Sequence, residues 1–274
     1  MSQTVPDVAG HDDYSLGNSN AELSRLMIQS DFLKGVTDLL LERIGVIAGW
    51  RALDMGCGPL GALPSLVERA GPDNVVGLER DPGFAGKAMR LLAERGFDAV
   101  QVIQGDAVQT GLDANCFDLV HERTLLINSP HPSEVVAEMV RLARPGGYVA
   151  LQDFDVAGLL CIPPHPDYDR LMSAVAKVWS GDMFIGRRLA SLLSAAGLLG
   201  IQVDAHVFLL AAGDPHYDQM LDFFELHRNR IIGANLLAPN EFEVRLRSAR
   251  DHFNAPTTRF QYGPLFQAWG RKPG

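Results

Sequence analysis

The segment Leu53-Asp54-Met55-Gly56-Cys57-Gly58-Pro59-Leu60-Gly61 constrains this chain more than any other. Residues 51–55 form a short apolar run of strand length that passes directly into a glycine-rich stretch. Glycines there permit positive φ and let a ligand approach the backbone closely. The spacing of Gly56, Gly58 and Gly61 matches G-x-G-x-x-G, a loop that turns a strand into a helix beneath a bound nucleotide. Pro59 within it removes one N–H donor, so one backbone contact is expected to be absent.

The rhythm that follows agrees with such a loop. Helical patterns at 62–70, 83–95 and 133–143 end at Gly71-Pro72, Gly96 and Arg144-Pro145-Gly146-Gly147. Apolar strand candidates at 74–78, 99–103, 117–121 and 148–153 alternate with them. Strand–helix alternation predicts an α/β, doubly wound parallel sheet, and the near-continuous apolar runs fit strands covered on both faces. Upstream, Leu23, Leu26, Met27, Phe32, Val36, Leu39 and Leu40 recur at threes and fours, which predicts two helices before the first strand, with Asn20 as a cap. Downstream come helices at 167–179 and 185–196, a strand at 201–210, helices near 216–232 and 239–249, and a closing strand at 258–269. Residues 1–48 therefore read as an N-terminal helical arm or lid. Residues 49–274 read as the main domain, with lid insertions at about 156–183 and 214–255.

Charge narrows the partners. The chain has 24 Lys+Arg against 33 Asp+Glu, a formal net charge of −9, and no basic run, so nucleic acid is not expected. Cys57, Cys116 and Cys161 lack the spacing of a disulfide framework or a zinc site, so no metal is expected. The start is polar and acidic rather than a secretory leader, and no apolar run reaches the ~18 residues of a membrane span. The expected location is the cytoplasm, without a membrane partner. The appended helices suggest a homodimer.

Two cofactors fit the loop taken alone. Glu79 ends the next strand about twenty residues on, where a carboxylate binds ribose hydroxyls in a dinucleotide site. Asp54, however, precedes the first glycine by two, where dinucleotide folds carry a small or apolar residue. A carboxylate there can pin backbone or water near a cationic sulfonium and amine. Asp106, after the third strand, can accept the adenine exocyclic amine. The chain also continues beyond its fifth strand further than a mononucleotide half-repeat.

As an ordered set, LDMGCGPLG, VVGLERD, GDA, FDLVHERTLL and LARPGGYVALQDFD resemble the five motifs of class I S-adenosylmethionine-dependent methyltransferases. The resemblance spans roughly residues 15–210. YSLGNSNAELSRLMIQSDFL, GRRLASLLSAAGL and the closing FQAWGRKPG are similar to the ubiquinone-biosynthesis-type and related small-molecule enzymes of secondary metabolism. It implies a Rossmann-like, seven-stranded, mostly parallel sheet of order 3-2-1-4-5-7-6 with the last strand antiparallel, plus N-terminal helices and a helical lid. It implies methyl transfer from S-adenosyl-L-methionine to a small organic acceptor at N, O or C, leaving S-adenosyl-L-homocysteine. Asp54, Gly56, Cys57 and Gly58 would meet the methionine end, Glu79 the ribose, and Arg80, Asp106 and Ala107 the adenine. His121 and Glu122 would face the methionine amine, with Tyr14, Arg25 and Gln29 closing over it. Pro59-Leu60 departs from the Ala or Thr followed by Gly that many members carry.

A sulfonium methyl is already activated, so alignment supplies much of the acceleration, and a base is needed only if the acceptor must lose a proton. Strand C-termini and the first insertion offer His121, Asp153 and His165 as catalytic candidates, with Glu122, Asp155 and His227 behind them. Each has a structural alternative: His121 can satisfy backbone groups, His165 can stiffen its Pro-rich loop, and His227 can lie on a solvated helix face. Arg123 fits either an anionic substrate or a local carboxylate. Met172, Trp179, Met183, Phe184, Phe223 and Phe224 suit an apolar lid or plain core packing. Two other readings stay open: a cyclase or isomerase binding the same cofactor without using its methyl, and an NAD(P) oxidoreductase.

Overall fold

The computed structural model describes residues 20–274, so Tyr14 lies outside the described residues. The chain runs α1 (Asn20–Ile44), β1 (Ala52–Met55), α2 (Leu63–Ala70), β2 (Val75–Glu79), α3 (Pro82–Glu94), β3 (Gln101–Gln104), β4 (Phe117–Arg123), α4 (Pro132–Leu142) and β5 (Ala143–Phe154). It continues through β6 (Leu160–Ile162), α5 (Pro166–Val178), α6 (Leu189–Ala195), β7 (Leu199–Leu210), α7 (Pro215–Gly233), α8 (Pro239–Phe253) and β8 (Arg259–Arg271).

The sheet runs β3-β2-β1-β4-β5-β8, with β7 on the far edge of β8. Strands β1 to β5 pair in parallel, and β8 is antiparallel to both β5 and β7. This is the expected order with one strand added. The extra strand, β6, continues along the edge of β8 that β5 leaves, because β7 occupies the other edge. Alternation along the central strands covers both faces. Ala52, Leu119 and Ala150 join one apolar cluster, while Leu53, Val120 and Leu151 join the other.

Two helices were expected where α1 is continuous. Near the middle of α1 the Ser30 hydroxyl donates to the Gly61 carbonyl at 2.8 Å, tying the helix to the glycine loop. Helices α5, α7 and α8 pack on one another, and α1 packs on α7. The arm and the second insertion thus meet above the sheet ends. Among the described residues no helix is long and apolar enough to cross a membrane.

Candidate active site

The glycine loop is fastened to β2. The Gly56 and Cys57 amides both donate to the Leu78 carbonyl, at 2.8 and 3.0 Å. Gly61 must be glycine: it sits at φ +46°, and a Cβ would lie 2.5 Å from the Cys57 carbonyl oxygen and 2.8 Å from Asp54 Oδ2. At Gly58, φ +55°, a Cβ would meet nothing within 4 Å, because that side opens onto a cavity. Pro59 is buried and takes no part in the cavity wall, so its missing N–H does not face the cavity.

Glu79 closes the loop from the other side. Its Oε2 accepts the Gly58 N–H and its Oε1 the Asp81 N–H, each at 2.8 Å. Burial pushes its pKa up, and the two amide donors work against that rise. The carboxylate is therefore held in one orientation by the loop it faces. Each oxygen keeps further acceptor capacity toward the cavity.

The cavity has a volume of about 680 Å³ and lies at the C-terminal ends of the central strands, where ligands bind in open α/β sheets. One half is bounded by Gly56, Gly58, Glu79, Phe84 and Asp106. The other is bounded by Phe154, Trp179, Met183, Phe223 and Tyr262. Of the residues predicted from sequence, Arg25, Gln29, Gly56, Gly58, Glu79, Arg80, Asp106 and Ala107 reach the wall. Asp54, Cys57, His121, Glu122 and Asp153 do not. They are buried behind it.

Those buried groups form the support. Asp54 Oδ2 accepts the Ala62 N–H at 2.9 Å, and Oδ1 accepts from His121 Nδ1 at 2.8 Å, since a carboxylate oxygen can only accept. The other ring nitrogen, Nε2, lies 2.7 Å from Gln152 Oε1, which Thr37 Oγ1 also approaches at 3.1 Å. Arg123 donates to Thr37 Oγ1 at 2.9 Å and to the Gly61 carbonyl at 2.6 Å. Burial lowers its pKa to about 10, which leaves it cationic. The network joins α1, β1, β4, β5 and the loop. His121 is thus fully enclosed, with both ring nitrogens engaged, and it presents neither to the cavity.

Glu122 Oε2 accepts the Leu125 N–H and Oε1 the Gln152 N–H, both at 3.1 Å. Asp153 Oδ2 accepts the Ile127 N–H at 2.9 Å. These two carboxyls shape the strand-end turn whose Leu125 and Ile127 line the cavity. Burial raises the pKa of each, and in Glu122 the nearby Asp153 adds to the rise. His165 lies elsewhere, just before the first turn of α5 and stacked on His252 at 4.5 Å. Asp155 is paired with Arg187 and also accepts the Ala157 N–H. His227 is buried rather than solvated, bonded to the Phe223 carbonyl at 2.8 Å and stacked on Trp179.

Several polar wall residues escaped the sequence reading, among them His216, Gln219 and Tyr262 in the aromatic half. The available signal was positional. His216, Gln219, Met220 and Phe223 recur at three, four and seven, and so share one face of α7. Among the described residues no cluster of three or more His, Cys, Asp or Glu is arranged to hold a metal.

Residues 53–151 match the family model described as a methyltransferase domain. The chain is 28% identical over 188 residues to the demethylmenaquinone methyltransferase of Anoxybacillus flavithermus, covering 63% of this chain and 79% of that one. It is 32% identical over 122 residues to the nocamycin O-methyltransferase of Saccharothrix syringae, covering 44% of each. In fold it is similar to phosphoethanolamine N-methyltransferase 2 of Haemonchus contortus, solved in complex with S-adenosyl-L-methionine. The TM-score is 0.53 at 16% identity, over 87% of this chain and 52% of that one.

Proposed function

We infer that this chain, which belongs to the class I S-adenosylmethionine-dependent methyltransferases, transfers a methyl group to a small organic acceptor seated in the aromatic half of its cavity. One observation carries the reading: the Glu79 carboxylate is fixed by the Gly58 and Asp81 amides at the cavity wall, with lone pairs left for a diol.

The residues present fit the cofactor. Glu79 accepts the two ribose hydroxyls. Leu78, Phe84 and Val108 offer apolar surface to the adenine, and Asp106 offers an acceptor to its amine. Arg25 and Gln29 from α1 face the methionine end together with Gly56 and Gly58. When bound, the cofactor supplies a methyl group on a positively charged sulfur. Asp54 and His121 act behind the wall as positioning residues, holding the turn between the loop and α2. Helices α1 and α7 serve as the lid, since each contributes residues to the same cavity and they pack on each other. Enclosing the acceptor against rings such as Trp179 and Phe154 excludes water and aligns the nucleophile, the main demand of an in-line transfer.

The wall supports an acceptor class. It is flat and largely apolar, of the kind handled in secondary metabolism. Incubation of the full chain with methyl-labelled S-adenosylmethionine and a panel of cyclic phenols, enols and quinols is expected to label at least one of them. Consumption of an acceptor without transfer of label would support a cyclase or isomerase instead.

A further inference from the structure

We propose that His216 is the residue that receives the acceptor, taking the proton from a hydroxyl group on a flat aromatic or enolic molecule as that oxygen is methylated. This deepens the function proposed above and rests on it. His216 opens α7, lines the cavity and is only 4% exposed, yet neither ring nitrogen has a hydrogen-bond partner among the described residues. Such an unpaired buried group is costly unless something else meets it. One turn on, Gln219 also lines the cavity with its Oε1 unpartnered. The Gln219 amide is close enough to favour the His216 cation but lacks hydrogen-bond geometry to it. Two polar groups on one helix face, with unpartnered atoms, therefore line a chamber rich in aromatic rings.

The ring is held firmly. It stacks on Phe32 of α1, with centroids 4.6 Å apart and planes 14° from parallel, and meets Tyr262 of β8 edge-on at 4.4 Å. The Tyr262 hydroxyl accepts from Gln29 Nε2 at 3.3 Å, so that side of the chamber is already satisfied. The charged group facing His216 is Arg25 of α1, itself paired with Glu22 at 2.8 Å. Burial, then Arg25, lowers the His216 pKa to about 4. The ring is neutral at physiological pH and has a lone pair to offer a donor.

The wall selects a hydroxyl over an amine. The carboxylates that line the cavity, Glu79, Asp81 and Asp106, all sit in the cofactor half. An ammonium group in the aromatic half would find no carboxylate in the wall there among the described residues. A neutral hydroxyl on a flat ring suits Trp179, Phe223 and Phe154 on its faces and His216 at its polar edge. The transfer balances. The S–CH3 and O–H bonds break, and the O–CH3 and N–H bonds form. The single positive charge leaves sulfur and arrives on the imidazole, so the charge of the cavity does not change. His216 gains its proton only as the neighbouring cation disappears, and its low pKa then returns the proton to water.

The test uses the full chain saturated with S-adenosylhomocysteine and titrated with 2-naphthol or 2-methylnaphthalene, which match in shape and differ in the hydroxyl. Wild type is expected to bind 2-naphthol at least several-fold more tightly. His216→Phe, which keeps the stacking on Phe32, is expected to reduce that preference to below about twofold. His216→Gln, which keeps an acceptor, is expected to retain part of it. Unchanged S-adenosylhomocysteine affinity in both variants shows that the fold is intact. In wild type, 13C-labelled histidine spectra are expected to show the His216 ring neutral down to about pH 5. A preference that survives His216→Phe, equal binding of the two probes by wild type, or no binding of either overturns the proposal. Failure of wild type to bind S-adenosylhomocysteine would instead overturn the function on which it rests.

Discussion

Glu79→Ala is expected to weaken S-adenosylhomocysteine binding about 100-fold in a protein that remains folded. Hydrogen bonds to a charged partner contribute roughly 1.5–3 kcal/mol each, and a tenfold change in affinity corresponds to about 1.4 kcal/mol. Glu79 supplies acceptors for two ribose hydroxyls, and its removal also frees the Gly58 and Asp81 amides that it orders. Part of the loss therefore comes from a looser loop. Glu79→Gln keeps the shape and one carbonyl acceptor but turns an amide group toward one of the two N–H donors. Its affinity is expected to fall between the other two. Calorimetric titration measures all three proteins, with circular dichroism as the check on folding. Unchanged affinity in folded Glu79→Ala would remove this residue from the site.

The second large effect is on stability. Asp54→Ala is expected to cost about 3–5 kcal/mol, because it leaves His121 Nδ1 and the Ala62 N–H buried without a partner. For a chain of this size that lowers the melting temperature by roughly 10 °C. Asp54→Asn retains the shape and one acceptor, so its loss is expected to be smaller. Thermal unfolding at matched concentration distinguishes them. A drop of less than about 2 °C for Asp54→Ala would show that the network linking the loop to β4 and α1 contributes little. S-adenosylhomocysteine affinity should fall with stability in this variant, because the turn that Asp54 pins carries Gly61 and positions the loop.

These two residues show what the sequence makes legible. Glu79 could be found from spacing alone, because strand length and helix length fix its distance from the glycine loop in any fold of this kind. Asp54 could be recognised as an unusual carboxylate before the loop, and pinning backbone was one of the uses open to it. Its partner His121 lies 67 residues away and becomes its neighbour only through the β1–β4 pairing. His121 and Glu122 look like strand-end site residues because ligands sit at strand ends. Both faces of β4 are covered, however, so the two side chains, pointing opposite ways, are each packed inside. His216 is the opposite case. Its local sequence marks only the helix face it shares with Gln219, Met220 and Phe223, and it joins the cavity because α7 packs across α1 and stacks it on Phe32.

The fold shows the same division. Strand–helix alternation predicts β1 to β5 as a parallel sheet, and the resemblance to the methyltransferases supplies their order. Strand β6 has only three residues, Leu160–Ile162, too few for periodicity to register, and it exists because the start of β8 offers it an edge. The position of α1 likewise involves the Gly61 carbonyl, a partner 31 residues from Ser30. Local pattern specifies the elements, and long-range partners decide where they run on.

The cavity fits a sulfonium nucleoside rather than a dinucleotide. The most direct test is calorimetric titration of the full chain with S-adenosylhomocysteine and, separately, with NADH. Saturable one-to-one binding of S-adenosylhomocysteine with no heat from NADH is the predicted result. Binding of NADH without S-adenosylhomocysteine would contradict it.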